Sequence, residues 1–161
     1  MSEQSNQENW QALHVSLRDA LQREIYLTRE LLSNMHQEEV SLMLNDAGSL
    51  HQILQQRSEM LEKLSALRLH RQETTDKIEK IASANHKHPS LEEILPPTDE
   101  MSTEILSLTD QLMALTEKIH RQYTQNQRLT EHPDHYPIKQ PSPETRAKRK
   151  ASLATYQIKK G

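Results

Sequence analysis

The chain has 161 residues, a formal charge of −3, two glycines, and neither cysteine nor phenylalanine. Without cysteine there are no disulfides, no thiol chemistry and no thiolate metal sites, and two glycines are few for the loops with which an enzyme approaches its substrate. Hydrophobic residues are 34% and charged residues 27%, which suits an all-α protein with a core one side chain thick better than a deep-cored catalyst.

The charge is divided unevenly. Residues 1–130 carry 13 Lys/Arg against 20 Asp/Glu, net −7, while residues 131–161 carry 7 against 3, net +4. An acidic body precedes a basic tail.

Met1 to Asn9 is polar, without the basic start and apolar run of a signal peptide, and reads as a frayed leader with Ser5 or Asn6 as a helix cap. No later run is long and apolar enough to span a bilayer, so a soluble, cytoplasmic protein without membrane insertion is expected. The first helix, about 8–44, places Trp10, Leu13, Leu17, Leu21, Ile25, Leu31/Leu32, Met35 and Leu42 on one stripe, the i, i+3/i+4 rhythm of a buried face. Trp10 reads as a packing residue. Arg18, Asp19, Arg23, Glu24, Arg29, Glu30, Glu38 and Glu39 read as a mixed-sign solvated face. The neighbouring acids Glu38 and Glu39 do not suggest a catalytic pair, because adjacent residues on a helix point in different directions.

Asn45-Asp46-Ala47-Gly48 interrupts the rhythm with turn formers, and Asp46 can cap the following helix. That second helix, about 47–84, resumes the stripe at Leu50, Ile53/Leu54, Met60/Leu61, Leu64, Leu67, Ile78 and Ile81. Between Arg68 and Asp76 the pattern is diluted by polar residues, which predicts a kink or a loosely packed stretch. Each arm needs tertiary cover for its stripe, and an elongated antiparallel hairpin supplies it.

Pro89, Pro96 and Pro97 stop the helical pattern, since proline lacks an N–H and disfavours helix in the residue before it. Ser90-Leu91-Glu92-Glu93 reads as a capping box for one short turn, with Leu91, Ile94 and Leu95 over the end of the hairpin. The third helix, about 98–130, takes Thr98 or Asp99 as its cap. Met101, Ile105, Leu108, Leu112, Leu115 and Ile119 follow at spacings of 4, 3, 4, 3 and 4, a heptad seam that packs left-handedly against a partner. The seam reads as decaying through Tyr123, Asn126 and Leu129.

The fold class is therefore all-α: a hairpin plus a third long helix, in a three-helix coiled-coil-like bundle domain over 1–130. Residues 131–161 read as a disordered basic tail, with four prolines, the cluster Arg146 to Lys150 and a closing segment with Leu153, Tyr156 and Ile158. Such a tail buries too little apolar surface to fold alone.

No cofactor and no catalytic residue is expected. His86/His88 and His132/His135 each place two imidazoles together, short of the three or four convergent ligands of a metal site. No phosphate-cradling glycine loop is present. The run Arg146 to Lys150 could hold phosphates, but no aromatic platform accompanies it, and a nucleic-acid partner ranks below docking on an acidic surface.

The run Leu27-Thr-Arg-Glu-Leu-Leu, the pair Glu38-Glu39 leading to Leu44-Asn-Asp-Ala-Gly-Ser-Leu, and Gln56-Arg-Ser-Glu-Met-Leu-Glu-Lys-Leu-Ser-Ala-Leu-Arg together resemble the flagellar export chaperone FlgN family. The resemblance is strongest over residues 13 to 71, general for the third helix and weak for the tail. It implies a cytoplasmic, non-enzymatic chaperone of flagellar type III export that holds hook-filament junction proteins unassembled and brings them to the export gate. It also implies that the C-terminal helices of these clients meet the chaperone's own C-terminal region. Carried onto this sequence, the partner-binding residues are Leu108, Leu112, Leu115, Ile119 and Tyr123, with Leu129 outlying and Leu153, Tyr156 and Ile158 in the tail; Tyr156 is the residue implied to engage the gate. The seam could equally be the chain's own core. A homo-oligomeric coiled-coil stalk protein, or a nucleic-acid-associated protein using the basic tail, remain the alternatives.

Overall fold

The computed structural model describes residues 2–82, Leu95 and residues 99–131, with the backbone alone for residues 2–8. Among the described residues the chain is all-α, built of α1 (Ser2–Leu44), α2 (Ala47–Ala82) and α3 (Glu100–Glu131). The capping box with Leu91 and Ile94, both histidine pairs and the tail beyond Glu131, with Leu153, Tyr156 and Ile158, lie outside the described residues.

The helix α1 begins at Ser2, so Ser5 and Asn6 are inside it and the expected frayed leader is helical. The polar run offers no proline or glycine to stop the helix, and Glu3 stands in its first turn, where the macrodipole favours a negative charge. At the other end Asn45 takes φ 54°. Its N–H bonds the Leu42 carbonyl at 3.3 Å and that of Asp46 bonds the Ser41 carbonyl at 2.9 Å, the two closing bonds of a Schellman motif. Asparagine is the side chain that tolerates this left-handed position best after glycine.

Asp46 caps α2 as the sequence predicts. Its carboxylate accepts from the Ser49 N–H at 3.0 Å and from the Ser49 hydroxyl at 2.6 Å, and its carbonyl takes the Leu50 N–H at 3.0 Å. Gly48 is not a turn residue. It sits in the first turn of α2 without a positive φ, and a Cβ there would stand 3.6 Å from an Asp46 oxygen, an ordinary contact. At α3 the cap is Asp99: the Ser102 hydroxyl donates to its carboxylate at 3.0 Å and the Thr103 N–H to its carbonyl at 3.1 Å.

The described residues pack into two units, one from Met1–Leu27 with Leu64–Ala114, the other from Thr28–Lys63 with the residues from Leu115 on. In the first, Leu17, Leu21, Ile25, Leu64, Ile78, Leu95 and Ile105 are buried, each burial contributing roughly 1.5–3 kcal/mol. The helix α2 runs unbroken through Arg68 to Asp76. The polar residues there have their own employment. Arg68 and Arg71 reach Glu24 on α1 at 3.2 and 2.6 Å, and Thr74 and Thr75 donate to the His70 and Arg71 carbonyls at 2.9 Å. Glu24 is thus buried rather than solvated, while Ile81, expected on the stripe, is 45% exposed. Trp10 packs edge-on to His14 with centroids 4.5 Å apart, and His14 donates from Nδ1 to the Trp10 carbonyl at 2.7 Å.

In the second unit Leu42, Leu50, Leu54 and Leu129 form one apolar cluster, with Met43 against it. Leu31, Met35 and Ile53 are buried in the same unit.

Two outcomes follow from the α1–α2 turn. Gly48→Ala raises stability by about 0.5 kcal/mol by restricting the unfolded chain, read as a higher Tm. The hydrogen bonds from Ser49 hold the Asp46 carboxyl below its ordinary value, so the cap stabilises the fold above the ordinary carboxylate range and loses that contribution as pH falls through the lowered value. Thermal unfolding across pH therefore shows the Tm difference between wild type and Asp46→Ala shrinking in acid and constant near neutrality.

Candidate partner-binding face

The helix α3 presents one face inward along its whole length. Residues 101, 105, 108, 112, 115 and 119 carry the apolar seam, and the same 3,4 spacing continues through Gln122, Asn126 and Leu129. The seam does not decay after Ile119. It changes chemistry, from leucine and isoleucine to carboxamides.

In the first unit Ile105 is fully buried and Leu112 is 8% exposed. Arg18 of α1 lies 4.0 Å from Glu104 and Gln22 donates to Glu104 at 3.3 Å along the rim. Leu108 stands on the same face and is half-buried. In the second unit Leu129 is 4% exposed within the leucine cluster, whereas Leu115, Ile119 and Tyr123 are half-buried. Six residues expected to meet a partner thus divide: Leu112 and Leu129 pack against the chain itself, and Leu108, Leu115, Ile119 and Tyr123 keep accessible apolar surface.

The amides of the second unit dock on a buried charge pair whose acid, Glu38, is expected from the sequence on a solvated face. Glu38 of α1 and Arg57 of α2 meet at 2.7 Å, with side chains 4% and 0% exposed. The Arg57 Nε donates to Asn34 Oδ1 at 2.8 Å, and Asn34 donates to the Ile53 carbonyl at 3.0 Å. From α3, Asn126 donates to the same Glu38 Oε2 at 2.6 Å and contacts the Met35 carbonyl at 2.9 Å. Gln122 donates to Glu39 at 2.7 Å and to Asn126 Oδ1 at 2.9 Å, and Gln125 donates to the other Glu39 oxygen. One carboxylate oxygen therefore meets the Arg57 cation of α2 and a donor from α3.

This is an arrangement for holding helices in register, with no bond-making chemistry in it. The Arg57–Glu38 ion pair is costly to break once buried, and buried amides fix a unique alignment where leucines would slide. Among the described residues no three His, Asp or Glu side chains gather at metal-binding distance, and no helix is long and apolar enough to cross a membrane. An open groove of about 590 Å³ in the first unit is lined by Asp19, Gln22, Arg23, Tyr26, Leu27 and Leu67, a mixed lining.

Comparison with known proteins gives one positive result. Residues 15–133, most of the chain, match the protein family described as FlgN protein. No curated protein and no solved structure matches the chain.

Removing the arginine head tests the pair. Arg57→Met leaves Glu38 as a buried charge without its cation, and loses about 3–5 kcal/mol of stability in urea titration, against about 1–2 kcal/mol for Asn126→Ala, which removes a neutral donor.

Proposed function

The chain belongs to the FlgN family, a family of flagellar export chaperones, and on that premise we propose that it binds the C-terminal helices of hook-filament junction proteins in the cytoplasm. It keeps them from assembling early and delivers them to the export gate. Nothing in this role requires catalysis. The work is done by covering an aggregation-prone apolar face until another surface takes it over.

The observation that carries the reading is the half-buried seam of α3. Leu108, Leu115, Ile119 and Tyr123 combine helical spacing with accessible apolar surface, which is what an amphipathic helix laid alongside would bury. Leu112 and Leu129, buried in the chain's own core, anchor α3 in the free chain. The tail residues Leu153, Tyr156 and Ile158 extend the contact after α3, with Tyr156 directed to the gate component.

The test is a pull-down from flagellated cells with the full chain and with a version ending at Thr130. Hook-filament junction proteins are retained by the full chain. Their loss on truncation assigns the hold to the tail, and their retention assigns it to α3. Recovery of the protein alone, or of nucleic acid alone, contradicts the reading. With a purified client, Leu115→Ala/Ile119→Ala/Tyr123→Ala weakens binding at least tenfold, about 1.4 kcal/mol, without loss of helical circular dichroism.

A further inference from the structure

The segment of α3 in the second unit, residues 115–131, is attached by unusual means. Leu129 is its one side chain that is both apolar and fully buried. The remaining buried side chains are Gln122 and Asn126, and their partners are the carboxylates Glu38 and Glu39 with the Met35 carbonyl. Apart from Leu129 and the half-buried Leu115, Ile119 and Tyr123, the two sides of this contact are polar, so water can replace each half of its hydrogen bonds on separation. Protein–protein hydrogen bonds contribute little net energy for that reason. The separation of two leucine faces, by contrast, leaves apolar area in water.

The α1–α2 pairing of the same unit does not need α3. Glu38 keeps Arg57 at 2.7 Å, Arg57 keeps Asn34 at 2.8 Å, and Asn34 keeps the Ile53 carbonyl at 3.0 Å. Leu42, Leu50 and Leu54 remain together as well. The buried carboxylate is thus still paired with a cation after α3 has left, which avoids the largest cost of opening a buried polar contact.

We propose that residues 115–131 are a latch that opens by itself, and that its inner face, once free, fits an amphipathic helix carrying two adjacent carboxylates beside an apolar stripe. The chemistry of that partner is written in the helix the latch now covers. Met35, Glu38, Glu39 and Leu42 of α1 present an acidic pair between apolar residues; Asn126 contacts Met35 and Glu38, Gln122 and Gln125 bond Glu39, and Leu129 packs with Leu42. A partner helix of the same pattern satisfies the same three carboxamides and also covers Leu115 and Ile119. The latch is a property of the free chain, and only the identity of its natural partner rests on the chaperone reading.

Hydrogen exchange of the full-length protein reads the opening without any client. Amides of residues 119–131 exchange at least tenfold faster than those of 31–42 and 54–62. In Asn126→Asp, where a carboxylate faces Glu38, they exchange faster again while the other two segments keep their protection. Equal protection of all three helices, or their joint loss in the variant, overturns the latch. For the partner, the probe is a synthetic helix-stapled peptide of residues 31–44, with a Glu38→Gln/Glu39→Gln peptide as control. Binding of the first, at least fivefold tighter than the control, supports the stated chemistry; equal binding, or none by either, overturns it.

Discussion

One oxygen atom organises the second unit. Oε2 of Glu38 stands 2.7 Å from the Arg57 guanidinium of α2 as an ion pair and accepts from Asn126 of α3 at 2.6 Å, so the helix that carries the acid is tied to both others through a single buried charge. A buried carboxylate is costly unless its lone pairs are met, and only one axial alignment of the three helices meets them. Leucines at the same positions would bury more apolar area and yet permit several alignments. The protein therefore takes its stability in this unit from the cluster of Leu42, Leu50, Leu54 and Leu129, and its register from the polar network beside it.

The division of labour extends to Glu24, which Arg68 and Arg71 approach at 3.2 and 2.6 Å in the first unit. There too an acid of α1 is buried and answered by cations of α2. On the same face of α3 a different set, Leu108, Leu115, Ile119 and Tyr123, is only partly covered. Anchoring and accessible apolar residues thus alternate along one face. A helix built this way can stay packed on α1 and α2 while part of its apolar face remains accessible.

Helix existence, the turn and two caps were legible because they depend on local chemistry. Asp46 and Asp99 accept from the backbone and hydroxyls of their own first turns, and Asn45 terminates α1 by its own tolerance of a positive φ. The buried acids Glu24 and Glu38 depart from the solvated face that the sequence suggests, because charge usually signals exposure. The spacing held the correction: Glu24 lies in phase with Leu17, Leu21 and Thr28, Glu38 with Leu31, Met35 and Leu42, Arg57 with Leu50, Ile53 and Leu64, and Gln122 and Asn126 with Ile119 and Leu129. Polar side chains that keep a core phase on three separate helices point to one another. Which acid meets which cation is a tertiary fact, and no single helix could disclose it. How much of the α3 seam is covered is tertiary in the same sense, since spacing assigns a face without saying how closely another helix approaches it.

The claim that a shared carboxylate joins three helices is tested most directly by a double-mutant cycle between Arg57 and Asn126, residues on different helices linked through Glu38. Stabilities of wild type, Arg57→Met, Asn126→Ala and the double variant from urea unfolding give the coupling. Groups acting on one network depart from additivity by about 0.5–3 kcal/mol, and a value above about 1 kcal/mol is expected here. Additive losses within about 0.3 kcal/mol, the behaviour of independent sites, would contradict the account.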